Sequence, residues 1–270
     1  MCTGTTKVAV TGVGGRMGGR ILSLLLKDAS IRIVGATERD CHNYLGVDIG
    51  RIIGISDVNI VVTDDITVAA SEADAIIDFT TPRATLRNAE FASSTGKPMV
   101  IGTTGFTEEE RRELERLTRG FPCVFSPNMS IGINVVFEIA RKLAEYLGRD
   151  FDIEIVEAHH GEKIDSPSGT AIKLGEIIAD ATGRDFTKVA RFERYGQIGK
   201  RTKDEIGIQS IRGGDIVGDH SVLFCGIGER VELTHSASTR DNFAKGAIRA
   251  LKWIVGKPSG IYSMKDVLGF

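Results

Sequence analysis

A chain of 270 residues, 41% hydrophobic and 26% charged, has the make-up of an ordinary globular protein with room for one large or two modest domains. Its formal net charge of −2 argues against a nucleic-acid binder, which would carry a basic stripe. Cys2, Cys41, Cys123 and Cys225 are scattered without a C-x-x-C pair, no apolar run approaches the ~18 residues of a membrane span, and the opening MCTGTTKVAVTG lacks the apolar stretch of a signal peptide; reduced thiols, a cytoplasmic location and no membrane partner are therefore expected.

The first element is a β-branched strand over residues 7–11, followed at once by Gly12-Val13-Gly14-Gly15-Arg16-Met17-Gly18 and an apolar-periodic helix bearing Met17, Ile21, Leu24 and Leu25. Strand, glycine turn and helix in this order offer backbone N–H groups and a helix start to a pyrophosphate. Met17 stands where the third glycine of the dinucleotide fingerprint belongs, so the loop by itself is weak evidence, and a purely structural turn is the alternative. A second strand over 31–37 ends in Glu38-Arg39. An acid there, about 20 residues past the glycines, is placed for a ribose diol, and the arginine for a 2′-phosphate.

The alternation continues with strands at 60–63, 75–79, 98–102 and 123–126. Thr81-Pro82 opens one intervening helix, which Gly96 closes, and Thr107-Glu108-Glu109-Glu110 forms a capping box for another. Strands separated by helices predict a Rossmann-like, doubly wound parallel sheet in an α/β domain. Gly12 to Met17, Glu38, Gly102-Thr103-Thr104 and Ser126-Pro127-Asn128-Met129 all follow strand ends, where such sheets bind ligands.

Past a long apolar helix over 131–147 the pattern changes. Strands are expected at 151–157, 189–195, 206–212, 220–225 and 230–237, with helices over 168–182 and 241–255 and a long mobile loop at 195–204. Several strands without intervening helices predict a second α+β domain on an open mixed or antiparallel sheet.

The densest chemistry lies at 154–171, EIVEAHHGEKIDSPSGTA. His159 and His160 are adjacent at a strand end, so their side chains point to opposite faces and are badly placed to share a metal ion; no metal site is expected. A hydrogen-bonded structural imidazole is the alternative for either, and the default for His220 and His235. Lys163 would ordinarily be a solvated lysine, but Ser168-Gly169-Thr170 begins a helix whose free N–H groups favour a carboxylate. An imidazole, an ammonium and an anion cradle, beside a dinucleotide domain, are the inventory of a reductase acting on a small carboxylate.

The GVGGRMG loop, Asp78-Phe79-Thr80, VIGTTG, SPNMSIGIN, EAHHGEKIDSPSGTA, IRGGDIVGDH and FAKGAIRALKW together resemble the 4-hydroxy-tetrahydrodipicolinate reductase (dihydrodipicolinate reductase) family of lysine and diaminopimelate biosynthesis, over nearly the whole chain. The resemblance implies that Gly12, Val13, Gly14, Gly15, Arg16, Met17, Gly102, Thr103, Thr104, Ser126, Pro127, Asn128 and Met129 bind the dinucleotide, with Glu38 on the adenosine ribose and Arg39 available to the 2′-phosphate. His159 would be the catalytic proton donor or acceptor and Lys163 the proton donor, and His160, Gly169 and Thr170 would hold a dicarboxylate. It further implies that residues 239–270 return to the nucleotide domain of 1–130, and that 131–238 bind substrate and build a homotetramer. Dual use of NADH and NADPH is expected, since Glu38 repels and Arg39 attracts a 2′-phosphate. Three other readings compete: another two-domain NAD(P)-dependent dehydrogenase of amino acids or semialdehydes, a non-catalytic NAD(H) sensor, and a metal-dependent hydrolase, which chelators would inactivate.

Overall fold

A computed structural model describes residues 4–270. It divides into two compact units: the chain up to Ile131 together with Arg240–Phe270, and Gly132–Thr239.

In the first unit β1 (Thr6–Thr11), α1 (Gly18–Leu25), β2 (Ile31–Thr37), α2 (Ile49–Ile52), β3 (Val62–Thr63), α3 (Ile66–Ala69), β4 (Ala75–Asp78), α4 (Pro82–Thr95), β5 (Met99–Ile101), α5 (Glu108–Leu117) and β6 (Pro122–Phe125) alternate as strand and helix. The central strands are buried on both faces, as in Val8-Ala9-Val10 and Ala75-Ile76-Ile77, which suits β-branched and small residues between two helical layers. Helix starts and stops follow their local chemistry. Thr107 and Glu110 exchange the two hydrogen bonds of a capping box (3.2 and 2.8 Å), and Gly96 closes α4 at φ 70°. Thr81 stands at the N-cap of α4 but its hydroxyl makes no capping bond.

After α6 (Ile131–Leu147) the second unit contains β7 (Asp152–His159), α7 (Gly169–Ala181), α8 (Phe186–Val189), β8 (Ala190–Arg191), β9 (Ile206–Arg212), β10 (Gly218–Cys225) and β11 (Arg230–Ala237). The chain then re-enters the first unit with α9 (Asp241–Ile254), β12 (Gly260–Tyr262) and α10 (Met264–Leu268). The first sheet is parallel throughout, in the order β12-β6-β5-β4-β1-β2-β3. Gly246 brings α9 down onto this unit, because a Cβ there would collide with the Met129 carbonyl oxygen.

The second sheet has the order β11-β10-β7-β9-β8 and is mixed: β7, β8 and β9 run parallel, while β10 is antiparallel to both neighbours. Ile153, Ile155, Ile206, Ile208, Val222 and Phe224 form its inner face, covered by α6 and α7. Several expectations are corrected here. The strand expected at 189–195 is only Ala190–Arg191, because Asp185 caps a helical turn over Phe186–Val189 (Thr187 N–H to Oδ1, 3.1 Å). The strand expected at 60–63 shrinks to Val62–Thr63, since Ile60 N–H is claimed by the Asp48 carboxylate (2.9 Å). β12 was not foreseen at all. Residues 195–204 form an irregular, largely exposed loop; Arg194 just before it and Arg201 within it both pair with Glu154 (2.7 and 3.1 Å). No described helix is long and apolar enough to cross a membrane. Cys41, Cys123 and Cys225 are free thiols, while Cys2 lies outside the described residues.

Candidate active site

Each unit carries one candidate site. The first sits at the carboxyl edge of the parallel sheet, where β1, β2, β4, β5 and β6 all end on the same side. Gly12 turns the chain at φ 72°, and its Cβ would come within 2.8 Å of Thr80 Cγ2, so only glycine lets the β1 and β4 ends approach. Gly18, one position after Met17, does the work expected of the third fingerprint glycine: a Cβ on it would drive into the Gly12 carbonyl and lie 2.5 Å from Val13 Cα. No side chain caps the start of α1. Gly12, Gly14, Gly15, Glu38, Arg39 and Thr80 face a cavity of about 640 Å³. Glu38 already leans on the glycine loop, its carboxylate accepting from the N–H of Gly14 (2.7 Å) and of Arg39 (3.0 Å). A glycine cradle that a Cβ would fill, an open helix start and an acid at the end of the second strand fit a dinucleotide.

Other residues expected to bind the dinucleotide are placed differently. Val13 and Met129 are core side chains. Arg16, Thr104 and Pro127 are exposed, Met17 is half-buried against the core, and Gly102 packs its backbone on the Phe79 ring. Ser126 and Asn128 form a small turn, Ser126 Oγ donating to Asn128 O (2.8 Å). None of these lines the cavity.

Thr103 leads to a feature the residue patterns did not show. The Asp78 carboxylate, fully buried at the end of β4, accepts from the hydroxyls of Thr11 (2.9 Å), Thr80 (2.9 Å), Thr85 (2.7 Å) and Thr103 (2.9 Å) and from Asn88 Nδ2 (2.6 Å). One acid thus ties together the ends of β1 and β4, the loop after β5 and the start of α4. The available signal was an acid closing an otherwise apolar strand, followed by two threonines.

The second unit's site is built where β7 ends and α7 begins. The alternation of β7 sends Ile153, Ile155 and Glu157 to the core face. Glu157 is fully buried and its carboxylate accepts from His159 Nδ1 (2.6 Å), from both terminal nitrogens of Arg212 (2.8 Å each) and from Ser168 N–H (3.0 Å). Burial alone would raise its pKa, but these donors, Arg212 foremost, hold it down at about 2. His159 is itself largely buried, which lowers its pKa below the ordinary value, while Glu157 works in the opposite direction.

Ser168 caps α7 through Oγ, which accepts from Ala171 N–H (3.2 Å) and lies 3.0 Å from His220 Nε2. His220 is buried, its ring edge-on to His159 with centroids 5.1 Å apart; burial first, then that neighbour, push its pKa down to about 4. Burial thus favours the neutral ring, and its tautomer sets whether Nε2 or the Ser168 hydroxyl donates. Gly169 and Thr170 form the first turn of α7. His160 leaves the strand with its N–H bonded to Ile216 O (2.8 Å) and its buried Nδ1 without a partner. The Lys163 ammonium is held by Asp165 (2.7 and 2.8 Å).

So His159, Ser168 and the α7 start come together, whereas Lys163 is paired next door. Glu157, Arg212 and His220 were missed as members of this cluster. Glu157 had a visible signal, an acid falling in phase with Ile153 and Ile155; Arg212 and His220 had only their place in the IRGGDIVGDH stretch, and it is the sheet that brings them across.

Comparison with known proteins agrees with this architecture. Residues 6–129 match the family model described as dihydrodipicolinate reductase, N-terminus, and residues 132–268 match the one described as dihydrodipicolinate reductase, C-terminus. The 4-hydroxy-tetrahydrodipicolinate reductase of Geotalea uraniireducens is 51% identical over 97% of this chain and 98% of its own length. That of Geobacter sulfurreducens is 50% identical over 98% and 99%. In fold the chain resembles a dipicolinate-bound dihydrodipicolinate reductase from Paenisporosarcina sp. TG-14 (TM-score 0.76, 23% identity, 96% of this chain and 97% of that one). It also resembles an amine dehydrogenase from Mycobacterium smegmatis (TM-score 0.60, 15% identity, 97% and 96%). With both units matched in order and half of all residues identical along its length, the chain belongs to the dihydrodipicolinate reductase family.

Proposed function

We propose that the chain is a pyridine-nucleotide-dependent 4-hydroxy-tetrahydrodipicolinate reductase, converting (2S,4S)-4-hydroxy-2,3,4,5-tetrahydrodipicolinate to tetrahydrodipicolinate and water. The observation that carries this reading is the Glu157–His159 pair set beside the capped start of α7, an acid next to an anion cradle. A bound reduced nicotinamide supplies the hydride that the conjugated imine accepts. Gly12 to Gly15 and the start of α1 hold the pyrophosphate, and Glu38 takes the ribose diol. In the second unit the first-turn N–H groups at Gly169 and Thr170 hold one substrate carboxylate, with His160 beside it. His159 delivers the proton that balances the added hydride as water leaves. Lys163 swings from Asp165 to pair with the second carboxylate. Cytoplasmic location and a homotetramer built on the second unit's sheet complete the reading.

The assay is a coupled one: pyruvate and aspartate semialdehyde are condensed, the chain is added, and nicotinamide oxidation is followed. No oxidation with either cofactor would refute the assignment.

Lys163→Ala should lower kcat/KM by about 10- to 100-fold, the worth of roughly 1.5–3 kcal/mol for a hydrogen bond to a charged group. The loss should fall on both kcat and KM, because the ammonium pairs with the substrate and assists protonation. Initial rates unchanged in both would remove Lys163 from the site.

Cofactor choice pits Glu38 against Arg39. Unit charges ~4 Å apart interact by about 4 kcal/mol near a protein surface. Repulsion of a 2′-phosphate by one neighbour and attraction by the other nearly cancel, so NADH and NADPH should both serve. A ratio of kcat/KM values beyond roughly a thousandfold would contradict this.

A further inference from the structure

β7 carries an acid where its inward face calls for an aliphatic residue. Burying a carboxylate is costly unless its lone pairs are met by good donors. At Glu157 one oxygen serves His159 Nδ1 and Arg212, and the other serves Ser168 N–H and Arg212. A single side chain thereby touches the acid, the helix start and the sheet.

We propose that Glu157 is the positioning residue of the second unit's site, holding the His159 ring with one proton on Nδ1 so that Nε2 is the atom that takes up and then delivers the second proton of the imidazolium, while fixing the start of α7 through Ser168. The proposal rests on the reading of His159 as the acid. A neutral imidazole has one N–H, and a carboxylate can only accept, so the 2.6 Å contact assigns that proton to Nδ1. Gly218 leaves room for the ring, since a Cβ there would come within 3.0 Å of Nε2.

The charged and titratable groups facing the ring are Glu157 on β7, Lys163 in the following loop, Arg212 on β9 and His220 on β10. Burial, Lys163 and Arg212 all oppose protonation of His159, and Glu157 favours it. The same carboxylate that orients the ring is thus what allows it to carry a proton.

In Glu157→Gln an amide NH₂ facing Nδ1 cannot accept, so the neutral ring shifts its proton to Nε2 and the imidazolium loses its anion. Titration of His159, followed by NMR in the full-length chain with ring-labelled histidine, should then move down by about one unit or more. The limb of the kcat profile that falls with rising pH should move with it, lowering activity at neutral pH about tenfold or more. KM should change little, because the remaining amide oxygen still accepts Ser168 N–H. Glu157→Asp, which keeps the charge, should return the limb toward its starting position. A merely structural role would reduce stability and kcat without moving the limb, and an unmoved limb or titration overturns the proposal.

If Glu157→Gln does not fold, the wild-type chain decides. Long-range proton–nitrogen correlations on neutral His159 should show the Nδ1–H tautomer, and the Nε2–H tautomer would overturn the proposal. These spectra need no turnover, so a wild-type chain inactive on the substrate refutes the proposed function and leaves the role of Glu157 to be read separately.

Discussion

Replacing His159 with Gln should lower kcat by about 10²- to 10⁴-fold, the usual contribution of a positioned general acid, or roughly 3–5 kcal/mol of barrier. Glutamine keeps much of the side-chain volume and can still approach Glu157, so the start of α7 should hold its place. It has no titrating proton to deliver. Cofactor affinity, measured by fluorescence titration of the reduced dinucleotide, should be nearly unchanged, because the glycine cradle and Glu38 are built from other strands. The pH dependence is a sharper check. Burial holds the His159 pKa below its ordinary value, and only the protonated ring is an acid, so wild-type kcat should fall as pH rises through a midpoint lower than that of a free imidazole. Glutamine should abolish that limb. A variant that keeps both wild-type kcat and the limb would remove His159 from the reaction.

Asp78→Asn should destabilise the first unit by about 3 kcal/mol and weaken dinucleotide binding. The carboxylate receives four hydroxyls and an amide in a fully buried pocket. An asparagine has one oxygen. Whichever way the amide turns, its NH₂ faces groups that had been donating: at the Oδ2 position it meets Asn88 Nδ2, 2.6 Å away. Hydrogen bonds to a charged acceptor contribute roughly 1.5–3 kcal/mol each, and a buried donor left unsatisfied costs about 1–3 kcal/mol. The hydroxyls can rotate to recover part of this, which keeps the total near the cost of one or two such bonds. Since Asp78 ties Thr11, Thr80 and Thr103 together, loosening it should spread the strand ends that form the cradle. Thermal unfolding together with dinucleotide titration measures both effects. Unchanged stability and unchanged affinity would show that the network is dispensable.

Much of the fold was legible because local chemistry and tertiary structure agree. Val8-Ala9-Val10 and Ala75-Ile76-Ile77 can only be strands buried on both faces, and Thr107 with Glu110 marks a helix start wherever it occurs. Prediction failed where a short-range polar contact overrode hydrophobic pattern. Asp185 turned an expected strand into a helical turn, and Asp48 drew Ile60 out of another. It also failed for β12, whose three residues make a strand only because β6 offers them an open edge.

For the chemistry, the chain's own order determined the glycine loop, the acid after the second strand, the adjacent histidines and the serine that caps α7. Each depends on neighbours within a few residues, where spacing alone fixes which groups can meet. The 154–171 segment thus offered two adjacent imidazoles, and only the resemblance to the reductase family singled out His159 between them. What only the tertiary structure decided is which charges stand against which. Arg212 reaches Glu157 across 55 positions, and His220 reaches Ser168 across 52, because β9 and β10 flank β7 in the sheet. Gly18 took the place of the missing fingerprint glycine through its close approach to the Gly12 carbonyl. Electrostatic partnership depends on distance in space and on burial, and neither is carried by spacing along the chain.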